Sequence, residues 1–397
     1  MNWLCRLRLR AGLFAAAVGV VTLSCALLVA ACAGAIATAS PSASAAASAS
    51  ATTRTPVANS VPLSRLTPAQ LAGQRVVYGY SGLTPPASLL ARIRAGEVAG
   101  VVFFKSNISS LAQIGRVVRR LQSAARQSPV KLPLLLMADQ EGGIVRRLPG
   151  APLLSEKQIG LSVNPSLAAS QAGRGAGLLL RSVGMNLNLA PVLDVYRDAG
   201  DFIDQYGRSY GRNPRMVAKL GAAFVKAQQQ TGVAATAKHF PGLGAASQSQ
   251  NTDLRPVTLS VPLATLRGVD ELPFRAAIGA GVRLVMVSWA RYTAIDSRPA
   301  GLSTLVVQNE LRQRLGFTGV TITDALGAGA LKSFGTIGNR AVLAARAGMD
   351  LMLCGSESQG ASAANGLAGA LRRGALARSA FLGSVQRVLA LRESLVP

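Results

Sequence analysis

Four short apolar runs in this 397-residue chain end on side chains able to handle protons or hydroxyl groups. Leu134-Leu-Leu-Met-Ala leads into Asp139-Gln-Glu-Gly-Gly143, and Leu189-Ala-Pro-Val-Leu into Asp194. Val233-Ala-Ala-Thr-Ala leads into Lys238-His239, and Gly319-Val-Thr-Ile-Thr into Asp324. The chain has only 17 acidic residues, so three aspartates at the ends of three such runs are a placement, not a background frequency. Carboxylates accept hydrogen bonds from sugar hydroxyls, Lys and Arg donate to them, and a carboxylate can attack an anomeric carbon. This set therefore suits a neutral polyhydroxylated substrate. His239 is the only histidine, and any Ser-His-Asp triad would have to use it. One His and one Cys in the body of the chain are too few for a zinc site of the usual type, and no phosphate loop is present, so no metal and no cofactor are expected.

Positioning these groups requires elements that end together. Eight apolar runs read as strands: Arg75–Gly79, Gly100–Phe104, Leu132–Ala138, Met185–Val192, Val233–Ala237, Leu284–Ser288, Gly319–Thr323 and Asp350–Cys354. Between several of them lie segments of 3.6-residue periodicity, as with Leu111, Ile114, Val117, Val118 and Leu121. Such alternation predicts an α/β fold, a closed parallel (β/α)8 TIM-type barrel formed as a single domain over residues 61–397. The structural alternative is an open doubly wound sheet, but no Gly-x-Gly-x-x-Gly follows the first strand. In a parallel barrel the C-terminal strand ends share one face, which is where the four polar termini belong.

The N-terminus has a different character. Arg6, Arg8 and Arg10 precede an apolar run from Ala11 to Ala31, an export signal over residues 1–31. The small residues before Cys32 resemble a bacterial lipobox, which makes Cys32 the expected lipidation site and implies a membrane anchor on the outer face of the cytoplasmic membrane. A transmembrane anchor or an ordinary cleaved signal peptide are the alternatives, since the run is long enough to span a bilayer. Residues 32–60 hold the lipidated cysteine and an Ala/Ser-rich stretch whose only charge is Arg54, a composition suited to a flexible tether. Mean hydropathy is +0.32, raised by the leader and by alanine, and does not indicate an integral membrane protein.

Charge narrows the partners. Lys and Arg number 42 and the formal net charge is +25, with only three of those cations in the leader. A field of this sign attracts anionic wall polymers or lipid headgroups. There is no compact basic run with interleaved aromatics and an export signal comes first, so nucleic acid is not an expected partner. Of the four cysteines, Cys5, Cys25 and Cys32 fall in the leader or at its end. Cys354 alone remains, excluding a disulfide framework and reading as a small buried apolar residue.

Taken in order, Asp139-Gln-Glu-Gly-Gly, Gly207-Arg-Ser-Tyr-Gly211, Lys238-His-Phe-Pro-Gly242 and Thr323-Asp324-Ala-Leu resemble glycoside hydrolase family 3, in its single-barrel β-N-acetylhexosaminidase branch. The resemblance runs from about Leu63 to Leu395. It implies a retaining exo-glycosidase acting on cell-wall glycans, with Asp324 as the nucleophile that forms a glycosyl-enzyme. It implies that Asp139 holds sugar hydroxyls accompanied by Arg147, and that Arg208, Lys238 and His239 complete the ring of sugar contacts, with Asp194 supporting them. In that branch the loop after Lys-His-Phe-Pro-Gly continues to Asp-Ser-His, whose last residue is the general acid/base. Here those positions are Ser249, Gln250 and Asn251, which cannot exchange a proton as imidazole does. Asp253 is the one carboxylate of this loop and the candidate acid/base, Glu141 being a weaker one. Other readings are an Asx-type turn at Asn251-Thr-Asp253 in a sugar-binding lipoprotein that has lost turnover, or a β-glucosidase or phosphorylase on the same barrel.

Overall fold

The computed structural model describes residues 62–395; the leader, Cys32 and the Ala/Ser-rich stretch fall outside the described residues. Eight parallel strands run in chain order around a barrel: β1 (Val76–Tyr78), β2 (Gly100–Phe103), β3 (Leu135–Ala138), β4 (Leu187–Asn188), β5 (Ala234–Phe240), β6 (Leu284–Val287), β7 (Val320–Thr323) and β8 (Met352–Leu353). Parallel pairing of β1 with β8 and a bridge between Ile322 and Leu351 close the circle. Every expected strand is present within the span anticipated for it, and β5 extends further, through Lys238 and His239 to Phe240.

A helix follows each strand: α1 (Ala87–Arg94), α2 (Leu111–Arg126), α3 (Pro165–Ser182), α4 (Pro214–Gln229), α5 (Leu272–Gly279), α6 (Leu305–Arg314, wound with π-type turns), α7 (Ile337–Ala347) and α8 (Glu357–Arg372). Their starts are encoded locally. Asn164-Pro165 and Asn213-Pro214 each place an amide oxygen on a first-turn N–H and a proline where its missing N–H costs nothing. Ser110, Thr336 and Ser356 do the same with hydroxyls.

Strand alternation sorts the core into two layers. Val102, Leu135, Met137, Leu187, Leu189, Leu284, Met286, Val320, Ile322 and Leu353 pack inside the barrel. Their neighbours Val101, Leu134, Leu136, Val285 and Val287 face the helices. Because the period is two, the inward row Leu135, Met137 continues to Asp139, and Val320, Ile322 continues to Asp324. The strand geometry thus aims both aspartates at the barrel axis.

The opposite end is sealed by the last helix, α9 (Arg378–Ser394), whose Val388 and Leu391 enter the barrel interior. Arg392 beside them is almost fully buried and donates to the Pro133 and Leu132 carbonyls at 2.8 Å each, and to the Gln74 side chain. Asp350, fully buried, binds Arg312 at 2.6 Å and Arg387 at 2.8 Å while accepting from the Thr321 N–H at 2.9 Å. It therefore ties α6, β7 and α9 to the residues entering β8. Removing it leaves two arginines and a backbone donor without their acceptor, so Asp350→Ala should lose about 3–5 kcal/mol of unfolding free energy in urea. Asp350→Asn, which keeps an acceptor, should lose less.

Candidate active site

The cavity at the C-terminal ends of the strands has a volume of about 300 Å³ and an apolar floor made by the last inward layer of the barrel, Val102, Leu189, Met286 and Leu353. One step further along the strands come Phe104, Asp139, Lys238 and Asp324, all lining the cavity. Arg147, Arg208, His239 and Asp253 complete its wall. Seven of the eight side chains singled out as catalytic or sugar-binding in the sequence therefore meet at one cavity.

The centre of one wall is Lys238, whose side chain is 2% exposed and whose Nζ lies 2.7 Å from Asp139 Oδ1 and 2.7 Å from Glu141 Oε1. Arg208 grips the same Glu141 through two bonds of 2.9 Å, from Nε and Nη2, and Arg147 approaches Asp139 at 3.5 Å. Burial opposes ionisation of Glu141, but Arg208 and then Lys238 outweigh it and hold its pKa at about 2. Burial likewise works against charge on Asp139 and Lys238, yet each is kept charged by the other, the pKa of Asp139 being lowered and that of Lys238 raised. The result is a fixed array of donors and acceptors whose charges already have partners before any sugar arrives.

Glu141, named in the sequence as a weaker acid/base candidate, takes part in this array. It stands two residues from Asp139, so strand alternation sends both side chains the same way. Its pKa is lowered by the two cations and it does not line the cavity, both of which count against it as a proton donor there.

Asp194 is set behind the wall and has no surface in the cavity. Its Oδ2 lies 2.8 Å from His239 Nδ1, and its Oδ1 accepts from the His239 and Leu243 backbone N–H groups at 3.2 and 2.6 Å. With Nδ1 engaged by Asp194, the ring orientation is fixed and Nε2 is the nitrogen left for the cavity. Asp194 thus holds the histidine in place and does not itself line the cavity.

Lys238 and His239 are adjacent, and in a regular strand they would face opposite sides. The pairing of β5 with β6 shifts between Ala237 and Phe240, where Ala237 faces Val285 and Phe240 faces Val287. This irregularity gives β5 one residue more than its partner and lets both side chains reach the cavity. The Lys238–His239 peptide bond is cis, as is Phe240–Pro241.

Asp324 ends β7 half-buried, with its Oδ1 accepting from the Ala325 N–H at 2.7 Å. Asp253 reaches the cavity from the loop after β5. Its backbone is docked on the segment following Asp324, where Gly329 donates to the Asp253 carbonyl at 2.7 Å and Ala330 to the Thr252 carbonyl at 3.0 Å. A Cβ on Gly329 would stand 2.1 Å from the Leu254 carbonyl oxygen, so only glycine permits this approach. Asn251 Oδ1 accepts from the Asp253 N–H at 2.8 Å, the Asx-type turn considered in the sequence, and the turn presents the carboxylate at the rim instead of withdrawing it. Asp253 is exposed as a residue, yet partial desolvation and then the nearby Asp324 carboxylate raise its pKa, against the pull of His239 and Arg208.

Two carboxyl groups, of which Asp253 has its pKa raised, beside an array of hydrogen-bond donors and acceptors make a site suited to acid-assisted displacement at an anomeric carbon. Comparison with known proteins agrees. The family model "Glycosyl hydrolase family 3 N terminal domain" matches residues 70–391. The chain is 46% identical over 343 residues to an "Uncharacterized secreted glycosyl hydrolase" of Arthroderma benhamiae, covering 85% of this chain and 97% of that protein. It is 33% identical over 328 residues to a "Beta-hexosaminidase" of Xylella fastidiosa, covering 78% and 95%. Among solved structures it resembles a glycoside hydrolase family 3 β-N-acetylglucosaminidase from Paenibacillus, with 34% identity and a TM-score of 0.79, matching 83% of this chain but only 63% of that longer one. Fold, site and relatives converge: the chain belongs to glycosyl hydrolase family 3, with the family's N-terminal domain as its barrel, and is a glycoside hydrolase.

Proposed function

We propose that the protein is an exported exo-acting β-N-acetylhexosaminidase that removes terminal N-acetylated sugars from cell-wall glycans with retention of configuration. The observation that carries this reading is the meeting of Asp324, Asp253 and the Lys238–Asp139–Glu141–Arg208 array around one cavity. Relatives named as a β-hexosaminidase and a β-N-acetylglucosaminidase support the choice of sugar. Export and lipidation at Cys32 rest on the leader sequence, and the name of the secreted Arthroderma relative accords with export.

In this mechanism the terminal sugar sits on the apolar floor with its hydroxyls held by Asp139, Lys238, Arg208 and His239. The Asp324 carboxylate attacks the anomeric carbon as the bond to the leaving oxygen breaks, and Asp253 delivers its proton to that oxygen. Asp253, now ionised, takes a proton from water, whose oxygen attacks the same carbon and releases Asp324. Asp253 thus replaces the histidine that the family's hexosaminidase branch uses.

Asp324→Ala should abolish turnover of nitrophenyl N-acetyl-β-glucosaminide. Asp253→Asn should spare an aryl glycoside with a good leaving group while lowering kcat on a natural disaccharide about 10²–10⁴-fold. Equal losses on both substrates, or sugar binding without turnover in the wild type, would count against Asp253 as acid. The acid must be protonated to act, and its pKa is raised, so kcat/KM on the disaccharide should fall with rising pH at a value above the ordinary aspartate range. This limb should vanish in Asp253→Asn.

Glu141→Gln keeps the shape of the clamp but removes the charge that Arg208 and Lys238 share. The expected loss is about 1.5–3 kcal/mol, seen as a roughly 10–100-fold drop in kcat/KM carried mainly by KM. Cys32→Ser should move the protein from the membrane fraction to the soluble fraction on cell fractionation.

A further inference from the structure

Most of this protein's negative charge is withdrawn from its surface. Among the described residues only Asp198 and Asp253 are exposed carboxylates, and both sit on loops that follow β4 and β5. The helical outer layer is left with cations almost alone. Neither α3 nor α4 contains a carboxylate, and these two neighbouring helices pack closely around Ala172, Ala176, Leu220 and Phe224.

Between them, on the outside of the barrel, runs a groove of about 630 Å³. Leu167 and a run of alanines from α4 form its floor, and Arg174, Lys219 and Lys226 stand along it. Lys219 and Lys226 are seven residues apart on α4, as are Arg174 and Arg181 on α3, which spaces each pair about 10 Å along its axis. Arg215 prolongs the α4 row by one turn. Arg181 lies outside the groove lining and donates to the Thr231 carbonyl at 2.6 Å. Cations from both helices beside an apolar floor match a linear chain bearing anionic groups at intervals and apolar faces between.

We propose that this groove binds a linear acidic polysaccharide, separately from the catalytic cavity. A concave groove between two helices does not match a flat lipid surface. No aromatic residue lines it, so the stacking platform that single-stranded nucleic acid uses is missing. An acidic glycan needs neither; carboxylate or phosphate groups meet the cations, and sugar rings lie on Leu167 and the alanines. Holding such a polymer on the outer wall raises the local concentration of glycan ends at the cavity.

The experiment titrates the purified domain with polygalacturonate and measures the affinity at increasing salt. The wild type should bind, and more weakly as salt rises. The charge-reversed triple variant Arg174→Glu, Lys219→Glu, Lys226→Glu should bind at least about tenfold more weakly. A second triple, Arg116→Glu, Arg119→Glu, Arg120→Glu on the exposed face of α2, changes net charge equally and should cost about twofold or less. An unaltered thermal midpoint establishes that each variant is folded; should reversal unfold the domain, the neutral double Lys219→Gln, Lys226→Gln takes its place. Equal loss in the two triples would overturn the groove in favour of a diffuse field, and absence of polygalacturonate binding would overturn it outright. So would tighter, groove-dependent binding to phosphatidylcholine–phosphatidylglycerol vesicles or to oligodeoxythymidine. The midpoint and the binding curve do not depend on any glycosidase activity, so failure of the catalytic reading leaves this test intact.

Discussion

A buried ammonium group held between two carboxylates is the interaction on which the site depends. Lys238 brings β5 to Asp139 at the end of β3 and to Glu141 two residues beyond it, while Arg208 from the loop after β4 joins through Glu141. A lone buried cation would cost several kcal/mol, and so would either carboxylate without it. Three strand ends are therefore bound to one another by charges that none can leave unpaired. That mutual dependence holds the side chains of the cavity wall still, and a rigid array is what selective recognition of hydroxyl positions needs.

The same economy governs acid placement elsewhere. Of the 17 carboxylates, several stand where they meet a cation inside the fold or serve the cavity. Asp350 joins α6, β7 and α9 near the barrel floor, Asp194 orients His239, and Asp270 takes Arg197 at 2.5 Å behind the site. Glu156 is buried differently, without a cation, accepting from the Val192 N–H at 2.9 Å with its pKa pushed up by burial and then by Glu141. The strong positive charge of the surface follows from this use of acids inside as much as from the abundance of arginine.

The loop after β5 is where the chain departs from the pattern its motifs resemble. Losing an Asp-Ser-His segment removes an imidazole, yet the loop is not collapsed or withdrawn. Its backbone is fastened to the segment following Asp324 through Gly329 and Ala330, and its Asx turn places Asp253 at the cavity rim. A carboxylate near a second carboxylate has a raised proton affinity for simple electrostatic reasons, which is the property a general acid requires.

The sequence by itself determined a good deal. Eight apolar runs of strand length, separated by helical periodicity and local caps such as Asn164-Pro165, were enough for a closed parallel barrel, because burial on both faces of a parallel strand leaves a continuous apolar signature. The polar residue at each run's end was legible for the same reason, and period-two alternation would also have reached Glu141 from Asp139. Other features were decided only in three dimensions. Which cation pairs with which carboxylate, the irregularity that turns both Lys238 and His239 to one cavity, the retreat of Asp194 behind His239, and the docking of Asp253 beside Asp324 all join residues 45 to 99 positions apart or depend on a neighbouring strand's register. Local propensity acts over a few residues, whereas these contacts exist only once the barrel has closed and brought distant strand ends to one face.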